Sequence, residues 1–121
     1  MTPLEVYREL APQYRTLGVI AANAQGLSGI EQVLLEANPR LNLLGACALQ
    51  AVLDVEAGVP PEELVERRRL AELAGWFDGC GAEALVLGCT HFPYFKEALA
   101  ARTTLPLVDP AEEMLRLLTA L

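Results

Sequence analysis

The chain has 121 residues, enough for one domain with a real core and too few for two ordinary ones. Hydrophobic residues make up 53% of it and charged residues 21%, which argues for a compact globule and against disorder. A net charge of −7 disfavours nucleic acid or an anionic membrane as partner, and no segment has the length and purity of a membrane span.

Residues 1–15 read as a helix, with Pro3, Tyr7, Leu10 and Tyr14 at helical spacing and Val6 beside them. Residues 1–9 show no basic-then-apolar signal pattern. Leu17–Ala21 is a short apolar run, the first candidate strand. Ser28 with Glu31 three residues on reads as a capping box, and Ile30, Val33, Leu34 and Ala37 form the stripe behind it. Leu41–Gly45 is the second candidate strand. Ala46–Ala57 then reads as an apolar helix closed at Gly58. Pro60-Pro61-Glu62-Glu63 opens the next helix with proline and acid in its first turn. Its stripe runs Leu70, Leu73, Ala74 and Phe77, with Gly79 and Gly81 at its end. Ala84–Gly88 is the third candidate strand and Leu105–Val108 the fourth. Asp109-Pro110 caps a last helix, predicted to turn Met114, Leu117, Leu118 and Leu121 inward.

Short apolar runs alternating with amphipathic stretches predict an α/β fold. Continuous apolar strands need helices on both sheet faces. The expectation is a single three-layer domain with a small, mostly parallel sheet of about four strands flanked by helices. No internal repeat or linker divides residues 1–121, and residues 105–121 supply the closing strand and helix.

Three cysteines, at 47, 80 and 89, cannot all pair, and their spacing does not match a metal site. With one histidine, no metal is expected, and a reducing cytoplasm is the simplest setting. A lone cysteine is usually a small buried hydrophobe, and Cys47 and Cys80 keep that reading. Cys89 departs from it, because Thr90-His91 interrupts an apolar run directly after a strand. A thiol delivered there to a helix start meets unpaired N–H groups and the positive end of the dipole, which favour a thiolate. The loop Ala21–Ser28, with Asn23 in it, is the second candidate ligand loop at the carboxyl edge of the sheet. Asp54, Glu56 and the acidic stretch Pro60–Glu66 read as a solvated face, and one acid near the sheet edge is able to orient an ammonium. Arg67-Arg68-Arg69 reads as polar helix surface.

Ala84-Leu85-Val86-Leu87-Gly88-Cys89-Thr90-His91-Phe92-Pro93 resembles the second catalytic motif of glutamate racemases, in the aspartate/glutamate racemase superfamily. The related aspartate racemases usually carry an acid where His91 stands. Leu17-Gly18-Val19-Ile20 with Ser28-Gly29 resembles the segment that opens the family's second lobe. Gly45-Ala46-Cys47 through Val55-Glu56-Ala57-Gly58 resembles its central helix, and Leu107-Val108-Asp109 its closing strand. The resemblance covers nearly all of the chain from about Leu17 onward, and the Cys-Thr-His-Phe-Pro motif is its most specific part.

The resemblance implies a cofactor-free two-base racemase acting on a small acidic amino acid. Cys89 would be one acid/base, His91 would assist it, and Thr90 would bind the substrate carboxylate. Asn23, Ser28 and Glu56 would add substrate contacts, Glu56 near the ammonium. The family's first lobe carries an Asp-Ser pair and a second thiol in Cys-Asn-Thr, and neither occurs in these residues. The expectation is therefore half of a two-thiol site, completed by a homodimer mate or a complementing lobe. The competing readings are a lobe that binds a small dicarboxylate or a protein without turnover, and an inactive relic. In the family that this sequence resembles, the chain has by Leu105–Val108 returned to the first lobe. Here that strand therefore either pairs within this sheet or reaches into a partner, and Pro106 restricts it to an edge in either case.

Overall fold

The computed structural model describes residues 2–120. Four strands make one all-parallel sheet: β1 (Thr16–Ala21), β2 (Asn42–Cys47), β3 (Leu85–Leu87) and β4 (Leu107–Val108), in the order β2-β1-β3-β4. The helices are α1 (Pro3–Leu10), α2 (Ala24–Ala37), α3 (Leu49–Glu56), α4 (Pro61–Arg67), α5 (Leu70–Gly79), α6 (Lys96–Ala100) and α7 (Pro110–Thr119).

The two-residue period of β1 divides the core into two halves. Leu17, Val19 and Ala21 point to one face and pack with Val6, Tyr7 and Leu10 of α1 and Ile30 and Leu34 of α2. Ile20 points to the other face, against α3 to α6, where Leu64, Leu70, Phe77, Phe92, Phe95 and Leu99 are buried. Burying each such side chain is worth roughly 1.5–3 kcal/mol, so the sheet is held by apolar layers on both sides. The result is the expected three-layer α/β arrangement, with every strand pairing parallel.

β4 settles the question of the closing strand. It pairs with β3 inside this sheet, Val86 opposite Val108, and the Pro106 carbonyl accepts from the Leu85 N–H at 2.8 Å. The proline ring, lacking an N–H, stands at the free edge.

Five local expectations are corrected. The β2 ladder continues beyond Gly45 because Ala46 and Cys47 stay in register with Ile20 and Ala21, so α3 starts only at Leu49. α2 begins four residues before Ser28: Asn23 is its cap, its Oδ1 accepting from the Gly26 N–H at 2.8 Å, and Ser28 lies within the helix. The helix opened by Pro61 breaks after Arg67, and Arg69 takes a left-handed conformation (φ 54°, ψ 41°) before α5. Beside that break, Arg68 donates to both oxygens of Asp54, at 2.6 and 3.0 Å, and Asp54 is buried, not solvated. In α7, Met114 and Leu117 pack on the core while Leu118 is 47% exposed; Leu121 lies outside the described residues.

Gly18 marks a close contact between β1 and α5. A Cβ there would lie 2.8 Å from Phe77 Cδ1, inside the larger apolar layer. Gly18→Ala is expected to destabilise the fold by about 1–3 kcal/mol, read as a lower urea midpoint with unchanged slope. The Arg68 hydrogen bonds hold the Asp54 carboxyl below its ordinary value of 3.8. The unfolded chain therefore binds more protons than the native one in that range. Stability from this pair is complete above about pH 4 and falls as pH drops through the lowered native value. Asp54→Asn should flatten the acid side of the stability profile below about pH 4, measured by urea titration at stepped pH.

Candidate functional site

The carboxyl ends of all four strands emerge on one edge of the sheet, because all four are parallel. β3 ends at Leu87, and Gly88 donates to the Ile20 carbonyl of β1 at 2.7 Å. A Cβ on Gly88 would meet Ile30 Cδ1 at 2.6 Å and the Ile20 carbonyl at 3.0 Å, so only glycine lets the chain leave β3 this close to β1 and α2. Cys89 follows at once, half-buried. The next turn is 3-10, Phe92–Phe95, with the Phe92 N–H donating to the Cys89 carbonyl, and it runs into α6. Phe92 and Phe95 are buried in the core, which pins the turn and fixes where the thiol stands.

Cys89 Sγ lies 3.8 Å from His91 Nδ1, within reach for a sulfur hydrogen bond. Thr90 is exposed beside them. A pocket of about 250 Å³ opens at this point between α1, α7 and the Cys89 loop. Cys89 and Thr90 line it, with Tyr7, Gly88, Asp109 and Met114 among the other walls. His91 is not among its lining residues; the ring stands at the thiol instead.

The remaining expected site residues stand elsewhere. Asn23 caps α2 after β1, Ser28 is exposed on that helix, and Glu56 is exposed at the end of α3; none lines the pocket. Cys47 and Cys80 are exposed, which corrects their reading as buried hydrophobes. Cys47 ends the edge strand β2, and Cys80 sits in the turn after α5, so neither has core around it.

Two wall residues carried no functional signal. Asp109 reads as a helix cap, and it is one: Oδ1 accepts from the Ala111 N–H at 3.0 Å. It is also the residue that follows β4 at the ligand edge, and that position was the available clue. Tyr7 reads as core, and nothing in its spacing distinguishes a phenol that faces a cavity. Burial, with Asp109 and then Cys89 nearby, holds the Tyr7 phenol up at about 12, so it stays protonated at any ordinary pH. Among the described residues no group of three or more His, Cys, Asp or Glu is placed to hold a metal ion. No helix among them is long and apolar enough to cross a membrane.

Comparison with known proteins adds a further finding. Residues 3–118 match the family described as Asp/Glu/Hydantoin racemase. The glutamate racemase of Limosilactobacillus reuteri (strain DSM 20016) is 32% identical over 106 residues, covering 85% of this chain and 39% of the relative. That of Shouchella clausii (strain KSM-K16) is 35% identical over 112 residues, covering 88% and 37%. The crystal structure of glutamate racemase from Francisella tularensis subsp. tularensis SCHU S4 in complex with D-glutamate superimposes with a TM-score of 0.76 at 25% identity. It covers 98% of this chain and 45% of that one. The chain thus spans less than half the length of the relatives it matches.

If the imidazole takes up the thiol proton, His91→Ala will slow the alkylation of Cys89 by iodoacetamide. The rates at Cys47 and Cys80 should not change, and mass spectrometry of the three cysteine peptides reads all of them in one sample.

Proposed function

The chain belongs to the Asp/Glu/Hydantoin racemase family, and on that premise we propose that it is a glutamate racemase-like lobe carrying one acid/base thiol of a two-thiol site. The observation that carries this reading is Cys89 Sγ, 3.8 Å from His91 Nδ1, at the mouth of a pocket on the carboxyl edge of a parallel sheet.

In this reading the Cys89 thiolate takes the α-proton of glutamate or a related acidic amino acid. The electron pair left on Cα passes into the adjoining carboxylate, where the Thr90 hydroxyl is the donor at hand. A second thiol returns a proton to the opposite face of Cα, and the Cys89 thiol then loses its proton to reset the site. His91 is the group beside Cys89 suited to hold that proton between turnovers. No cofactor enters the scheme, and free thiol chemistry suits a reducing cytoplasm. Asn23, Ser28 and Glu56 stand off the pocket wall, so the proposal rests on Cys89, Thr90 and His91. Among the described residues one thiol lines the pocket, and a second chain, either a homodimer mate or a complementing lobe, is proposed to supply the other.

Incubating L- and D-glutamate with the protein in D₂O and following Cα–H by proton NMR tests the reading. Cys89-dependent exchange with racemisation is expected if two thiols meet between chains, and exchange with retention if Cys89 acts alone. Cys89→Ala should abolish either. Absence of exchange with both enantiomers would overturn the racemase reading and leave a lobe that binds without turnover.

A further inference from the structure

Two polar side chains in the pocket have no task in the reaction proposed above. Tyr7 and Asp109 are each only 6% exposed, and both line the wall that Cys89 also lines. The Asp109 Oδ1 atom is occupied by the Ala111 N–H, while no donor from the described residues reaches Oδ2. The Tyr7 hydroxyl has no hydrogen-bond partner among the described residues either, and every fully sealed side-chain polar atom among them has one. Both oxygens therefore open on the cavity rather than into packed core.

The charges of the wall are one-sided. Among the described residues no Lys, Arg or His lines the pocket, so none of them sets a cation against Asp109 there. Lys96, on α6, is bound to Glu112. The rest of the wall includes Pro3, Leu87, Pro93, Pro110 and Met114, which offer apolar contact only. A nearly buried carboxylate oxygen with no protein donor is costly to strip of water unless a donor replaces it. A carboxylate set against Asp109 would place like charges together in a poorly solvated space. A group with several N–H donors and a positive charge suits both open oxygens at once.

We infer that the pocket beside Cys89 is a subsite for a primary ammonium group on a short apolar body, with Asp109 Oδ2 and the Tyr7 hydroxyl oxygen accepting its N–H bonds. For an amino acid whose Cα lies at Cys89 Sγ, the α-ammonium goes to Asp109 and the α-carboxylate to Thr90. That last placement rests on the racemase reading; the preference for ammonium does not.

The test uses the ¹⁵N-labelled full chain titrated with n-butylammonium chloride, with sodium butyrate as the charge-reversed probe. Saturable shifts are expected at the amides of Gly88 and Ala111 with butylammonium and not with butyrate. Asp109→Asn keeps an oxygen to cap α7, and it should weaken butylammonium binding by at least about tenfold. Tyr7→Phe should weaken it in the same direction, and the amide spectrum of each variant reports that it is folded. Butyrate binding as tightly as butylammonium, no saturable shift with butylammonium, or an unchanged affinity in Asp109→Asn would each overturn the inference. The racemase reading is decided separately, by exchange at Cα, so either one can fail while the other stands.

Discussion

β1 lies hydrogen-bonded between two strands that both run parallel to it, and the position of Cys89 follows from that pairing. Val19 faces Gly45 on one side and Val86 on the other. Parallel pairing cannot be closed by hairpins, so each return path crosses a face of the sheet as helix, and both faces become apolar layers. It also collects all four carboxyl ends on a single edge. Gly88 fits only because it has no side chain to push against Ile30 and the Ile20 carbonyl, and it places the thiol immediately past that edge. A reactive group positioned by the core of a sheet is more precisely held than one on a free loop.

The face covered by α1, α2 and α7 is also where the fold tolerates polarity. α7 has no fully buried residue, and its contact with α1 leaves the pocket at their shared end. Asp109 serves two structures there. One oxygen caps α7, and the other faces the cavity. The cap restrains the carboxylate, so its second oxygen is presented without much further loss of side-chain freedom. The opposite face has a different solution to its buried acid: Asp54 on α3 accepts two hydrogen bonds from Arg68 at the break after α4, with Arg67 3.7 Å away.

Much of this was legible in sequence, and the misses share a cause. Leu17–Ala21 and Ala84–Gly88 stand out because a strand covered on both faces must be apolar at every position. Gly58, with φ 75°, and Asp109-Pro110 stand out because helix ends require particular backbone chemistry. Asn23 and Ser28 are both good caps, and local sequence cannot rank them; the length of β1 decides, since the strand stops at Ala21. Ala46 and Cys47 are as compatible with helix as with strand, and only their register against β1 makes them β2. Asp54 and Arg68 are charged residues 14 positions apart, and the burial of Asp54 against Arg68 depends on how α3 and α4 pack. The thiol and its histidine were readable because they are adjacent. Tyr7 and Asp109 were not, because a hundred residues and the closing of β4 onto β3 separate them from their shared cavity.

For the proposed reaction, the one-sidedness that positions the thiol limits what the lobe would do by itself. A ligand resting on the carboxyl edge meets the loops of that edge from one direction. If Cys89 both removes and returns the α-proton, it returns it to the face it left, and the product is the starting enantiomer. Inversion demands a donor opposite, and a single parallel sheet does not wrap around a ligand to provide one. β4 occupies one edge of the sheet, only two residues long and preceded by Pro106, so that side offers a partner strand little to pair with. The other edge, β2, carries no proline, and strand addition there would still leave the second thiol to be brought across the carboxyl edge for the proposed reaction. The partner's thiol would meet the substrate from the side that Thr90 and the pocket mouth leave open.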